Sequence, residues 1–458
     1  LNRCSMRVAE ALAPLTAGAP QEGRPDEAWY WAAPMLLDGL APGSDLGQWW
    51  GRQDLASIWS GAADEGDAAG WREHVQHAAQ TAEGWVPEGP PPGDLATVLA
   101  LVALAGPATC SLRSLRRVLA LQGQDTPHWL RDAAARAGWS YRRLFNQPEA
   151  STLIRGEYQR ARGQPYWRQV LRYSADGGLS AVSDEYFHVL AESQALHNLS
   201  RPHAAGRLAE AFESSMALPA SRVAWDDASD DDGRWAFARR HLRAHFAMRF
   251  GTEHTEDGSP ETREDQVRAA FNSPFWPFVL ASTSVGQEGL DFHPYCHAVV
   301  HWNLPANPVD MEQREGRVHR YRGHAVRKNL AARYADVGRG IGEGDPWGRL
   351  FEHAGAEDGG NGRGLVPDWN YPVEGGARIE RHVPVLPFSS DALKLLSMRR
   401  SLAAYRMVFG QARQEDLVEY LMRYLSGDEI AGAAAALQVN LAPPTGRGGE
   451  HQEANQAR

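Results

Sequence analysis

Through the first 215 or so residues, apolar positions recur at helical spacing in an alanine-rich background. Glu27 to Leu40 is apolar and aromatic, and Leu95 to Leu104 is continuously apolar, which predicts a buried helix. Cys110 to Leu121 continues as a helix with Arg113, Arg116 and Arg117 on its polar side. Two amphipathic helices are expected around Gly177-Gly178, and Pro87 to Asp94 reads as a linker or loop. The pattern changes after residue 215. Residues 226–234 read as an acidic surface loop, Arg234 to Leu242 as a helix, His245 to Phe250 as a strand and Glu264 to Phe271 as a short helix. Phe278 to Ala281 is a short apolar run between small polar residues, the pattern of a buried parallel strand. Ala298 to Trp302 reads as the next strand, stopped by Pro305 and Pro308. Strands alternating with helices predict a parallel sheet, with Phe246, Phe278–Ser282 and Ala298–Trp302 as its members. Residues 333–364 are glycine-rich and loop-like. Ser389-Ser390-Asp391 signals a helix start, Met398 to Leu425 reads as helix broken near Gly410, and residues 441–458 read as a disordered tail.

Composition bounds this picture. The chain has 458 residues, enough for two to four domains. Hydrophobic residues at 43% and charged residues at 23% fit a globular protein, with no apolar run long enough to span a bilayer. Cys4, Cys110 and Cys296 are too few and too far apart for a disulfide framework, so a cytoplasmic location and no membrane are expected. The net charge of −10 argues against a generally basic nucleic-acid coat. Between Gln313 and Tyr334, however, Arg314, Arg317, Arg320, Arg322, Arg327, Lys328 and Arg333 face Glu315 alone. A local basic strip on an acidic chain suits a phosphate site.

The candidate chemistry lies in that strip and just before it. Ser282-Thr283-x-x-Gly286-x-x-Gly289-Leu290-Asp291 is a loop where backbone can approach a ligand, and Gln313-x-x-Gly316-Arg317-x-x-Arg320 follows about thirty residues later. The spacing of Gln313, Arg317 and Arg320 places them on one face if the segment is helical. These two stretches resemble motifs V and VI of superfamily-2 helicases and chromatin-remodeller-like DNA translocases, in the family's order and spacing. The resemblance covers about residues 240–335. It implies a RecA-like C-terminal lobe with a parallel sheet, flanked by large helical accessory regions. The implied division is 1–150 helical, 151–215 a helical insertion, 216–335 the lobe, 336–440 a second helical region and 441–458 the tail.

The resemblance also implies roles. Arg317 and Arg320 would be arginine fingers on the γ-phosphate of ATP, with Gln313 orienting at the nucleotide; a planar guanidinium suits phosphate oxygens and the charge that develops on them. Gly289, Asp291 and Gly316 would lie at the ATP site. Ser282, Thr283 and Gly286 would touch a nucleic-acid backbone, double-stranded DNA being the expected partner. ATP with Mg2+ would be the cofactor of the intact enzyme, with no Mg2+ ligand supplied here. The bland alternatives are a solvated arginine face and a tight strand-to-helix turn. Arg314 and Arg322 fall off the shared face and are expected to tolerate alanine.

The sequence departs from the family in what it lacks. It holds only two lysines, Lys328 and Lys394, and neither follows a glycine loop, so no GxxxxGK[ST] phosphate loop is present. It begins at Leu1. The expectation is the C-terminal part of an ATPase whose first lobe is missing from this chain. The other reading is a catalytically inactive remnant that binds nucleic acid or a partner. Asp26-Glu27-Ala28-Trp29 looks like an acidic box but lacks the apolar strand such a box needs, and Asp184-Glu185-Tyr186 lies in helical surroundings with no phosphate loop upstream. His293-x-x-Cys296-His297 has metal-ligand types without a fourth ligand nearby.

Overall fold

A computed structural model describes residues 1–40, 44–51, 68–123, 126–158, 163–194, 196–217, 221–231, 234–244, 260–281, 291–305, 308–339, 344–357, 365–385, 388–407 and 414–437. The chain divides into two compact units, Leu1–Ala217 with Gly342–Trp347, and Leu218–Ile341 with Gly348–Arg458.

The first unit is helical: α1 (Asn2–Thr16), α2 (Trp29–Leu40), α3 (Leu46–Trp50), α4 (Ala68–Ala82), α5 (Leu95–Ala105), α6 (Pro107–Val118), α7 (His128–Phe145), α8 (Pro148–Glu157), α9 (Tyr166–Asp176), α10 (Leu179–Ser193) and α11 (Arg201–Met216). The helix pair around Gly177-Gly178 falls where the periodicity put it, because Gly178 takes the left-handed φ of 65° at the start of α10. The apolar run becomes α5, whose Leu95 and Leu99 pack with Leu12, Trp29 and Leu36. A second core joins α6, α7, α10 and α11. Phe187 stacks on Phe212 at 5.0 Å, and Tyr141 meets the same ring edge-on at 5.1 Å. Gly138 lets α6 and α7 approach closely, since a Cβ there would fall 2.7 Å from the Cβ of Ala108. No single described helix is long and apolar enough to cross a membrane; α5 and α6 pass that test only together, bent by 42°.

Two of the acidic look-alikes have structural roles. Asp184 accepts from Arg117 Nη2 at 2.7 Å and from Ser114 Oγ at 2.6 Å, tying α10 to α6. Asp26 Oδ1 accepts from the Ala28 amide at 2.9 Å, ahead of α2. The aromatic residues pack: Trp31 stacks on Trp85 at 5.8 Å, and Trp49 Nε1 donates to Asp132 at 2.9 Å.

The second unit opens with a hairpin, β1 (Ser221–Asp231) and β2 (Arg234–Ala244), paired antiparallel from Ser221↔Ala244 to Asp231↔Arg234. Here the sequence reading is corrected twice: residues 226–231 are strand and not loop, and residues 234–242 are strand and not helix. Asp-Gly between two alternating runs is a two-residue hairpin signal, and Trp235-Ala236-Phe237-Ala238 alternates with period two. The charge of the aspartates masked that pattern. Next come α12 (Pro260–Phe271), β3 (Ala298–Val300), α13 (Pro308–Gly316), α14 (His324–Arg333), α15 (Ala335–Arg339), α16 (Pro346–Glu357), β4 (Glu380–His382), α17 (Asp391–Met407), α18 (Gln414–Tyr424) and α19 (Gly427–Leu437).

β3 and β4 pair in parallel, Ala298↔Glu380 to Val300↔His382, so the expected parallel pairing is present as a small sheet with an unexpected partner. Phe278 to Ala281 does not form the expected buried strand. Its backbone is irregular, with Phe278 77% and Val279 78% exposed. Pro274 and Pro277 have no N–H to give a ladder. Leu280 alone of that run packs inward, toward Val267, Ala270, Phe292 and Val318. Phe246, Ser282, Gly410 and the tail lie outside the described residues. α17 starts at Asp391, where the helix-start signal put it, and Ser389 Oγ accepts from the Asp391 amide at 3.3 Å in the turn before it.

Candidate nucleotide-proximal site

The site is built where the end of the first motif meets the turn after α13. Gln313 is exposed on α13, which stops at Gly316. Arg317 and Arg320 therefore do not share a helical face with it. The Arg317 amide donates to Arg314 O at 3.3 Å, and the Val318 and His319 amides both donate to Glu315 O, at 3.0 and 3.1 Å. These short-range bonds make a turn, which glycine at 316 favours over continued helix. The two arginines are presented from that turn.

Backbone then joins the two motifs. The Phe292 amide donates to Arg317 O at 3.0 Å, and the His324 amide donates to His293 O at 3.0 Å. Arg320 Nε lies 3.2 Å from Asp291 Oδ1, an ion pair by distance that lacks hydrogen-bond alignment. Their side chains are 40% and 52% exposed, so water screens the pair. Of the expected residues, Asp291, Arg317 and Arg320 come together, Gln313 stands apart on the helix, and Gly316 is the helix end. Ser282, Thr283, Gly286 and Gly289 lie outside the described residues.

Several residues that sequence reasoning passed over hold this turn. Glu315 fills an unspecified position of the motif, yet its carboxylate takes His301 Nε2 at 3.0 Å and Arg381 Nη2 at 2.6 Å. His301 follows β3 and Arg381 lies in β4, so Glu315 fastens α13 to the parallel pair. Burial raises its carboxyl, but the hydrogen bonds from His301 and Arg381 outweigh burial and hold it down at about 2. The signal in the sequence was its position as the lone acid in a basic strip.

Arg322 corrects another expectation. It adopts a left-handed φ of 47°, its amide donates to Asp368 O and its Nε to Asp368 Oδ1, both at 2.6 Å, and its guanidinium sits 4.0 Å over the Phe351 ring. It is a structural lock and will not tolerate alanine freely. Arg327 is 2% exposed and donates to Arg322 O at 2.8 Å and to Pro294 O.

His324 and His293 flank the arginines. Burial, then the charge of Arg327, lowers His324 from the usual 6.5 to about 4. His293 is also lowered, by burial first, with Arg327 and Arg320 adding to it against Asp291. A lowered histidine takes a proton more readily unfolded than folded. Its contribution is complete above the unfolded value and shrinks as pH falls toward the folded one. Glu315 acts in the same direction below its ordinary 4.5. The second unit is therefore expected to lose on the order of 2 kcal/mol between pH 6.5 and 4. Urea midpoints across that range check it; replacing His324 with Asn should flatten the upper part of the slope, and an unchanged slope contradicts the assignment.

The arrangement presents cationic side chains from a turn, with an acid alongside, and can meet a phosphate. Among the described residues, no group of three His, Cys, Asp or Glu is placed to hold a metal ion. No curated protein and no solved structure matches the chain. Residues 240–322, from β2 through the Arg317–Arg322 turn, match the family model of the helicase conserved C-terminal domain, which supports a helicase C-terminal domain there, with the RecA-like fold and the nucleic-acid binding general to such domains.

Proposed function

We propose that the chain is the C-terminal part of an ATP-dependent superfamily-2 helicase or DNA translocase. Asp291 at the end of motif V and Arg320 at the end of motif VI, 3.2 Å apart within the matched segment, carry this reading. Arg317 and Arg320 fit a triphosphate, being cationic, only partly buried and held on a turn fixed by Glu315. ATP, when bound, supplies the phosphoryl group whose transfer drives the cycle. This chain's part is to place two guanidiniums where negative charge grows. The described residues do not fit Mg2+: Asp291 is engaged by Arg320, so metal ligands and the lysine loop belong to a first lobe, on the same polypeptide or a partner. Double-stranded DNA is the proposed track, met through the motif V loop in a cytoplasmic setting.

Without a phosphate-loop lysine in its 458 residues, the isolated chain is expected to bind duplex DNA weakly and to show no DNA-stimulated ATP hydrolysis. Phosphate release and duplex-binding titrations measure both. Turnover that persists through purification and disappears in Arg317→Ala contradicts the need for a first lobe. No duplex binding at low salt contradicts the nucleic-acid reading.

A further inference from the structure

The hairpin β1–β2 carries features that the nucleotide-proximal turn does not use. Among the described elements its strands pack chiefly on each other. A lone two-stranded hairpin gains little in water, yet Trp235 and Phe237 are 68% and 71% exposed near its tip. They sit at alternate positions of β2, so they project from one face of the ribbon. Two residues along a strand span about 7 Å, twice the roughly 3.4 Å spacing of stacked bases. Two flat rings at that separation leave room for one flat ring between them.

Neighbouring positions support this geometry. Phe237 is opposite Ala228, a small residue that leaves space beside the ring, and Arg239 continues the same face, exposed and without an ion-pair partner among the described residues. Asp227 is engaged by Arg240 at 3.3 Å, and Asp226 stands opposite Arg239. By strand alternation Asp227 and Arg240 belong to the other face; on the face of the rings Asp226 offsets Arg239 and Asp230 is the register partner of Trp235, so the rings and not charge draw the ligand. The end of β2, from residue 240 onward, lies inside the matched helicase segment, so the ribbon leads directly into it.

We propose that the β1–β2 hairpin is a base-stacking site for single-stranded nucleic acid, with one unpaired base held between Trp235 and Phe237. The proposal rests on the nucleic-acid binding of the preceding section, to whose duplex it adds an unpaired strand, and not on the ATP roles of Arg317 and Arg320. Stacking tolerates any base and cannot act on a base kept inside a duplex. The salt dependence of this contribution is expected to be shallow, because few phosphates are neutralised.

The test uses the full chain and fluorescence anisotropy with a labelled 20-nucleotide oligothymidine, an abasic oligomer of equal length and a 20-base-pair duplex. Trp235→Ala with Phe237→Ala should weaken oligothymidine binding roughly 10- to 100-fold. Abasic and duplex binding should stay within about threefold, and Trp235→Tyr, which keeps a ring, should retain most of the affinity. Because both side chains are exposed, the melting temperature should not move. Unchanged oligothymidine affinity in the double variant overturns the stacking site while duplex binding still stands. An equal loss with the abasic oligomer also overturns it. A chain that binds none of the three probes overturns the nucleic-acid reading as well.

Discussion

Arg317→Ala and Arg320→Ala are each expected to lower ATP turnover on the order of 10³-fold or more in the enzyme completed by its first lobe. In the proposed role the guanidiniums would act as charge shifts to the bridging oxygen, so the loss should fall on kcat, while nucleotide and DNA affinity stay within a few-fold. Lysine should rescue neither position, because it lacks the planar fork. The geometry adds a requirement: the variants should fold normally. The Arg320–Asp291 pair is half-exposed and contributes little to stability, and Arg317 is tied to Phe292 through its carbonyl, which alanine keeps. Arg314, which donates to Asn303 O at 3.0 Å, provides the comparison and should lose little turnover as alanine. Steady-state hydrolysis at saturating DNA, beside thermal melting, is the measurement. Near-normal turnover in both variants, or an equal defect in Arg314→Ala, would show that motif VI is misassigned.

The second large effect is expected at Arg327, and it is an effect on folding. Its guanidinium is enclosed, bonded to the carbonyls of Arg322 and Pro294, and 5.1 Å from the Tyr295 ring centroid. Alanine would strand both carbonyls in a buried setting and leave a void, with an expected loss of about 3 kcal/mol or more. Lysine keeps the charge but offers a single point where two carbonyls must be bridged, so roughly half of that loss is expected. The carbonyls of Arg322 and Pro294 belong to the segments that carry Arg317, Arg320 and Asp291. Arg327→Ala should therefore also raise the proteolytic sensitivity of residues 291–324. Urea unfolding followed by intrinsic fluorescence reads the stability change; a midpoint equal to that of the native chain would rule out this role.

The helices were legible because burial on one side leaves a period in the sequence, as at α9 and α10, and because the unbroken apolar run of α5 can only be buried. The hairpin was not, because its aspartates and arginines read as a loop and a helix until the register paired them. Phe278 to Ala281 shows the opposite failure: an apolar run suggested burial, but it forms no strand and two of its side chains face solvent. Within the site, the resemblance put Asp291, Arg317 and Arg320 at one place, whereas the spacing of four and three was misleading once the helix ended at Gly316. Glu315, Arg322 and Arg327 act through contacts with residues far along the chain, and His301, Arg381 and Asp368 cannot be paired with them by local spacing.

The pairing of β3 with β4 sets a timetable for synthesis. Val300 pairs with His382, so 82 residues (382 minus 300) separate the two sides of the short sheet. Glu315 likewise waits 66 residues for Arg381. At roughly 5–20 residues per second on a ribosome, the segment bearing Arg317 and Arg320 stays unfastened for several seconds after it is made. The hairpin closes on neighbouring residues and can form at once. During that interval the unpaired edge of β3 is open to chaperones, and a chain interrupted before residue 382 would carry the whole matched segment yet never lock its arginine turn.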